Sequence, residues 1–583
     1  MRRFGIRRMP DPFAGRMVFL RVILAVSAAV LAGRLFHIQV ISHSFYSALA
    51  SDQHDIFREL FPERGGVFLA DPDSPDGRFP VAVNKTMYTA YADTRKMEPA
   101  DREAAVRALS PILGIDEPVL DGKLGVEDDP YVPLKSRLDE DTVERLRSLK
   151  VRGIAFSPQS FRFYPESETA CHLTGFVGSD EGGNLVGRYG VEGYWNTELS
   201  GQAGYLDSRG NSTDGVAVGG SGFRPAQDGA DIVLTVDRSI QFVACSKLRE
   251  AVIGFQAVGG SVVVMEPDTG RLLAVCGYPD FDPNDYSSVR DMSVFNNPAT
   301  YHAYEPGSVM KPLTMAAAID AGKVSPNTTY EDTGQVKIGP YTISNSDGKA
   351  NGRQTMTQVL EKSLNTGAIF AVRELGPDRF LEYVEAFGFG QPTGVEIAAE
   401  TAGDISSLRK RGDIWSTTGS YGQGITATPI QLVAAFGALA NGGRLMRPHV
   451  VSEVRYPDGT GNRIEPQSVR QVVSKRTADM VSGMLVQVVE NGHGKRAGVP
   501  GYWVAGKTGT AQMARADGGG YDKDRFIGTF VGFAPVDDPA FVMLVKIESP
   551  QGVSFAESTA APLFGELASF LLQYIKIPPD RPY

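Results

Sequence analysis

Tyr304-Glu305-Pro306-Gly307-Ser308-Val309-Met310-Lys311-Pro312-Leu313-Thr314 is the stretch on which the reading of this chain turns. Pro306 and Gly307 interrupt the chain just before an apolar run, Met315-Ala316-Ala317-Ala318-Ile319, so Ser308 is expected in the first turn of a helix that enters a core. Lys311 follows three residues later, a spacing that sets hydroxyl and amine on one helix face, roughly 5–6 Å apart at Cβ. Pro312 is tolerated there because first-turn amides have no helical partner to lose. A serine hydroxyl needs a neighbour to take its proton, and lysine serves only if burial or nearby positive potential lowers its pKa. The same tetrapeptide also describes a capping serine followed by a surface lysine, so other segments must carry the argument.

Outward from this stretch, 583 residues exceed one ordinary core and predict two or three domains. Hydrophobic content of 42% and charged content of 22% are those of a globular protein, and a net charge of −10 argues against a nucleic-acid partner. Three cysteines, Cys171, Cys245 and Cys276, are too few and scattered for a disulfide framework or a metal site and are expected to be small buried side chains. At the N-terminus, Arg2, Arg3, Arg7, Arg8 and Arg16 form a basic tail (1–16) ahead of an apolar stretch (17–41) flanked and interrupted by Arg21 and Arg34. It reads as an uncleaved membrane anchor with snorkelling arginines, the alternative being a cleaved signal peptide. The basic tail then stays in the cytoplasm and the remainder is exported.

The region 42–222 mixes short strand-like runs with helical stretches at 101–113 and 139–149, and shows no catalytic constellation. Arg64-Gly65-Gly66, Arg162-Phe163-Tyr164-Pro165 and Gly190-Val191-Glu192-Gly193 are its landmarks, and Arg64, Arg162 and Glu192 are expected to pair there. Eight glycines between Gly201 and Gly229 predict an irregular connection. In 223–583, Asp231–Val236 reads as a strand and 239–253 as a helix; 261–265 with 271–275, and 528–533 with 541–547, read as hairpins. A helix over 560–575 closes the chain. Strands at both ends with helices between predict an α+β domain: one antiparallel sheet assembled from distant segments, with a helical insert.

Two further segments strengthen the site. Ser363-Leu364-Asn365 falls in a helical stretch read over 356–374: a second hydroxyl to relay a proton, and an amide able to donate and accept. Lys507-Thr508-Gly509-Thr510 follows Trp503-Val504-Ala505-Gly506, read as a strand. There Lys507 offers positive charge, the Thr508 and Thr510 hydroxyls suit a carboxylate, and Gly509 lets a substrate backbone approach as an added strand. The 513–525 stretch, with Gly518-Gly519-Gly520, reads as a mobile loop beside the cleft.

Ser308-Xaa-Xaa-Lys311, Ser363-Xaa-Asn365 and Lys507-Thr508-Gly509, in that order, resemble the three-motif signature of penicillin-binding proteins and serine β-lactamases. With the anchor, the pedestal landmarks, the glycine-rich connection and Tyr421-Gly422-Gln423-Gly424-Ile425, the whole layout resembles class B penicillin-binding proteins, most closely their division-type members. The pedestal departs from the family pattern at Asp71-Pro72 and after Pro165.

The resemblance implies an N-terminal transmembrane helix, a pedestal of the dimerisation type and a transpeptidase domain outside the cytoplasmic membrane. It implies that Ser308 attacks the D-Ala–D-Ala bond of a peptidoglycan stem peptide, with Lys311 as base, Ser363 as proton shuttle and Asn365 on the acyl-side amide. Lys507, Thr508 and Thr510 would face the terminal carboxylate, and the backbone amides of Ser308 and Thr510 would form the oxyanion hole. No metal or cofactor is implied, and of seven histidines only His302 lies near the motif, read as structural. Implied partners are β-lactam inhibitors, an FtsW-type glycosyltransferase and other divisome proteins. An elongation-type transpeptidase, a hydrolytic carboxypeptidase or β-lactamase, and a non-catalytic β-lactam sensor or scaffold are the alternatives.

Overall fold

A computed structural model describes residues 56–60, 62–182, 184–208, 223–515, 520–553 and 555–581. The expected basic tail and anchor, and much of the glycine-rich connection, lie outside these residues. Among the described residues no helix is long and apolar enough to cross a membrane. The chain divides into two compact units. The smaller contains an antiparallel sheet in which Gly204–Ser208 lies between Ile56–Leu60 and Phe223–Arg224. The ends of the stretch read as irregular are therefore short strands.

The larger unit comprises 63–201 and 228–583. In its N-terminal part the long strand Arg78–Ala92 pairs with Val67–Ala70, Val132–Leu138 and Ile154–Phe163. Helices Pro99–Leu113 and Glu140–Ser148 cover it through Leu109, Leu113, Val143 and Leu146. Each of these helices lies within two residues of its predicted bounds, and Asp139 caps the second by accepting from Thr142 N. The strand Asp231–Asp237 joins this sheet, parallel to Val67–Ala70 and antiparallel to Val451–Arg455, so residues from both halves of the chain share it.

The second sheet is five-stranded and wholly antiparallel, in the order Leu272–Tyr278, Gly259–Met265, Phe541–Glu548, Tyr521–Ala534, Ala505–Ala514. Both predicted hairpins are present and meet through Gly259–Met265 and Phe541–Glu548, which are neighbours in space though far apart in sequence. Alternation explains their unbroken apolar runs. Val262, Val264, Met543 and Val545 face helices Arg238–Gly254 and Ala560–Tyr574, while Val263, Met265, Val542 and Leu544 face the core around Pro429–Ala440. Each such fully buried valine or leucine contributes about 1.5–3 kcal/mol over its exposed state. Ala505–Ala514 is an edge strand, paired on one side only.

The cysteines depart from expectation. Cys245, on helix Arg238–Gly254, and Cys276, on strand Leu272–Tyr278, form a disulfide with Cα atoms 5.2 Å apart; Cys171 is free and buried. Packing of that helix across the edge hairpin brings the two sulfurs together, a proximity that spacing along the chain does not encode.

Candidate active site

Ser308 lies in a tight 3-10 turn, Gly307–Met310, and the α-helix proper begins at Lys311. Gly307 explains the difference from the predicted helical first turn: its φ of +60° is left-handed, a conformation that cannot start an α-helix. In a 3-10 turn residues three apart eclipse, so Ser308 and Lys311 remain on one face. Met315–Ile319 then runs into the core as expected. Gly307 N donates to Gly422 O at 3.1 Å, and Tyr304 exchanges both main-chain bonds with Ala427, at 3.0 and 2.9 Å. At Gly422 an added Cβ would stand 2.3 Å from Gly307 O, so glycine is required for this close approach.

The predicted 356–374 helix is two helices, Met356–Glu361 and Asn365–Leu375, broken at Ser363. Ser363 has φ +56°, a costly conformation for serine, and the break frees its carbonyl from helical bonding. That carbonyl accepts from Lys311 Nζ at 2.5 Å, and the Ser363 hydroxyl accepts from the same amine at 3.2 Å. Asn365 opens the second helix, and its Nδ2 donates to Ser344 O at 2.9 Å.

Lys311 is 1% and Lys507 0% exposed, and neither forms a salt bridge with a described residue. Burial, then the positive charge of Lys507, holds the Lys311 amine well below its ordinary pKa. Burial lowers Lys507 to about 7. Lys507 Nζ donates to Thr508 O at 3.0 Å and Thr508 Oγ1 at 3.3 Å. The Ser308 hydroxyl makes no hydrogen bond to a described residue.

The Lys507 strand starts at Ala505, two residues later than read, and carries Lys507 to Thr510 on the free sheet edge. Such an edge offers unpaired main-chain groups to an extended peptide. Gly509 has a packing role that the sequence reading missed: the space a Cβ would take is bounded by Pro306 O at 2.9 Å and Val309 Cγ1 at 3.0 Å. Its bare Cα lets the edge strand close on the serine turn. Thr510 Oγ1 accepts from Ala556 N at 3.2 Å. Of the 513–525 stretch read as a loop, 516–519 lie outside the described residues, and the flanks are paired strand, Ala514 opposite Tyr521. His302 lies at the surface, and its pKa is lowered by partial desolvation and by the positive charge of Lys546. A separate cavity of about 330 Å³ lies among Phe387, Phe389, Leu445 and Arg447, and none of the eight predicted site residues lines it.

The sequence matches the penicillin binding protein transpeptidase domain over residues 260–569 and the penicillin-binding protein dimerisation domain over 62–234. Stage V sporulation protein D of Bacillus subtilis is 30% identical over 579 residues, covering 97% of this chain and 86% of that protein. A probable peptidoglycan D,D-transpeptidase, PbpC of Pseudomonas aeruginosa, is 30% identical over 97% of this chain and 96% of its own length. Among solved structures, penicillin binding protein 3 of Mycobacterium tuberculosis complexed with aztreonam superposes with a TM-score of 0.68 at 26% identity, covering 90% of this chain and 98% of that one. Penicillin binding protein 2X of Streptococcus thermophilus shares the fold, with a TM-score of 0.72 at 22% identity over 89% of this chain and 80% of that one. With matches running nearly end to end through both domains, the chain belongs to the penicillin-binding proteins, and within them to the class B enzymes that act as peptidoglycan D,D-transpeptidases.

Proposed function

We propose that Ser308 is the acyl-enzyme nucleophile of this transpeptidase and that the enzyme works in septal cell-wall synthesis. The observation that carries the chemistry is the Lys311 amine, buried without a carboxylate, held on Ser363 and depressed by burial and by Lys507. Such an amine holds its proton less tightly than an ordinary lysine, as a base for the serine hydroxyl must. Ser308 Oγ bonds to the carbonyl carbon of the penultimate D-alanine as its proton passes to Lys311 Nζ. The oxyanion is stabilised by the Ser308 and Thr510 amides, at about 3–4 kcal/mol per donor. The C–N bond then breaks, the proton returns through the Ser363 hydroxyl, and D-alanine leaves. An amine from a neighbouring stem attacks the ester, loses its proton to the same relay and releases Ser308. Asn365 holds the acyl-side amide, and Lys507, Thr508, Gly509 and Thr510 bind the terminal carboxylate and the extended backbone on the sheet edge.

The organisation proposed with it is a basic tail (1–16), a membrane anchor (17–41), a pedestal (42–222) and a transpeptidase domain (223–583) outside the cytoplasmic membrane. The Cys245–Cys276 disulfide supports an oxidising, extracytoplasmic setting. A resemblance to the FtsI homolog of Mesostigma viride, 26% identical over 97% of each chain, supports a division role with an FtsW-type glycosyltransferase and divisome proteins as partners. The elongation-type reading is separated by whether a fluorescent fusion gathers at midcell or along the side wall. Intact-mass spectrometry with penicillin tests the chemistry. One long-lived adduct on Ser308 is expected, lost in Ser308→Ala; an adduct on another residue overturns the assignment, and rapid loss of the adduct points to a hydrolase.

A further inference from the structure

Glu305 has no part in the reaction as described, yet its half-buried carboxylate is the meeting point of three segments. Oε1 accepts from Gly424 N at 2.9 Å and from the Tyr521 hydroxyl at 3.0 Å, and Oε2 lies 2.9 Å from the same hydroxyl. Gly424 belongs to the glycine-rich segment already bonded to the serine turn through Gly422. Tyr521 begins the strand Tyr521–Ala534, which is the partner of the Lys507–Thr510 strand.

The preceding residue makes a second connection to that strand. Tyr304 OH lies 3.0 Å from Thr529 Oγ1. Thr529 stands opposite Gly509 in the ladder, whereas Tyr521 stands opposite Ala514 near the far end of the hairpin. Two consecutive residues, Tyr304 and Glu305, therefore hold one strand at two well-separated points. Between those points the strand carries Gly528, Thr510's ladder partner, and so sets where Thr510 lies relative to Ser308.

We infer that Glu305 is a positioning residue for acylation: by accepting the Tyr521 hydroxyl and the Gly424 amide, it locks the far end of the edge hairpin onto the nucleophile turn. The lock fixes the gap between the Ser308 and Thr510 amides. Tyr304–Thr529, the packing of Gly509 on Pro306 and Val309 and the ladder from Ile527 onward hold the near end, and Glu305 ties down the far end. Burial raises the Glu305 carboxyl above its ordinary range, the effect expected of a group enclosed by its partners rather than bathed in solvent. The inference rests on Ser308 as nucleophile and on Thr510 as an oxyanion donor.

Stopped-flow acylation of the full chain by a chromogenic cephalosporin tests it, with loss of labelling in Ser308→Ala establishing the underlying reading separately. Tyr521→Phe keeps the ring and the strand and removes only the hydroxyl. It is expected to lower the limiting acylation rate at saturation by on the order of tenfold to a hundredfold, with the half-saturating concentration nearly unchanged. The melting temperature is expected to stay within about 2 °C. Glu305→Gln keeps one acceptor oxygen and should fall between Tyr521→Phe and the wild type. The double variant should be no slower than Tyr521→Phe, because the amide oxygen of Gln keeps the Gly424 bond and both changes then act on the one contact with Tyr521. A wild-type acylation rate in Tyr521→Phe, losses that multiply in the double variant, or a rate loss matched by a large fall in melting temperature would each overturn the inference.

Discussion

The pedestal and the cleft both bury positive charge, and they do so in opposite ways. In the pedestal, Glu192 is wholly buried and accepts from Arg64 Nε at 2.7 Å and Arg162 Nε at 2.6 Å. Arg64 reaches Asn196 and Ser200 as well, and Arg162 reaches Asn84. In the cleft, Lys311 and Lys507 are buried beside each other with hydroxyls and main-chain carbonyls as their only bonded partners among the described residues. Arginine stays charged and presents a rigid fork of donors, which suits a permanent joint. Lysine gives up its proton when burial and a like charge act on it, which suits a base. The contrast is between charge held in place by a carboxylate and charge that burial makes easier to lose.

The largest expected effect comes from the cleft. Lys311→Met keeps much of the side-chain volume but removes the proposed base, so acylation by penicillin should fall by about 10²–10⁴-fold with the fold retained, as read by adduct formation against time. If the rate holds, the cleft lysine is not a base and the contrast fails. In the pedestal, Glu192→Ala strands two guanidinium groups and should cost about 3–5 kcal/mol in a denaturant titration. Acylation per folded molecule should be unchanged.

Arg162→Lys probes the same joint more gently. The ammonium keeps the charge but cannot reproduce the fork that spans Glu192 and Asn84, so about 1.5–3 kcal/mol should be lost. An unchanged midpoint would show that charge alone, not geometry, makes the pedestal joint.

The sharpest electrostatic test of the cleft is the pH dependence of Lys507→Met. Removing that charge lets the Lys311 pKa rise, so the limb on which acylation increases with pH should move to higher pH. Stability should move the other way. The folded pKa of Lys507, about 7, lies below the ordinary lysine value of 10.5, so the folded state binds fewer protons between them. The cost of protonating Lys507 is therefore absent above pH 10.5, grows as pH falls, and is complete below pH 7. Lys507→Met removes it, and the variant should be more stable than the wild type below pH 7 in parallel denaturant titrations. A pH limb that stays in place would separate the two lysines electrostatically.

Much of this was legible in the chain itself. The two hairpins, the helices at 101–113 and 560–575 and the three motifs are local patterns, carried by alternation, by helical spacing and by glycine and proline breaks. The meeting of Arg64, Arg162 and Glu192 was also expected, because the two arginines and the glutamate stand in the landmark segments of one modest domain. Other features were invisible for a physical reason. Ser363 sits where two helices break, but Leu360 to Asn365 contains no glycine or proline to announce it; the break is maintained by the bonds that its carbonyl and hydroxyl make to Lys311. Gly509 was read as room for a substrate, while the structure also fills that room with Pro306 and Val309.

The sequence by itself determined most of the strands and helices, the serine and lysine three residues apart, and the presence of two further polar motifs. These depend on neighbours along the chain, where backbone sterics and side-chain periodicity act. Only the tertiary structure decided that Lys311 meets Ser363, that Cys245 meets Cys276, and that Glu305 takes the Tyr521 hydroxyl. Such contacts join residues dozens to hundreds of positions apart. They are chosen by how two sheets and their covering helices pack, and no local pattern records that choice.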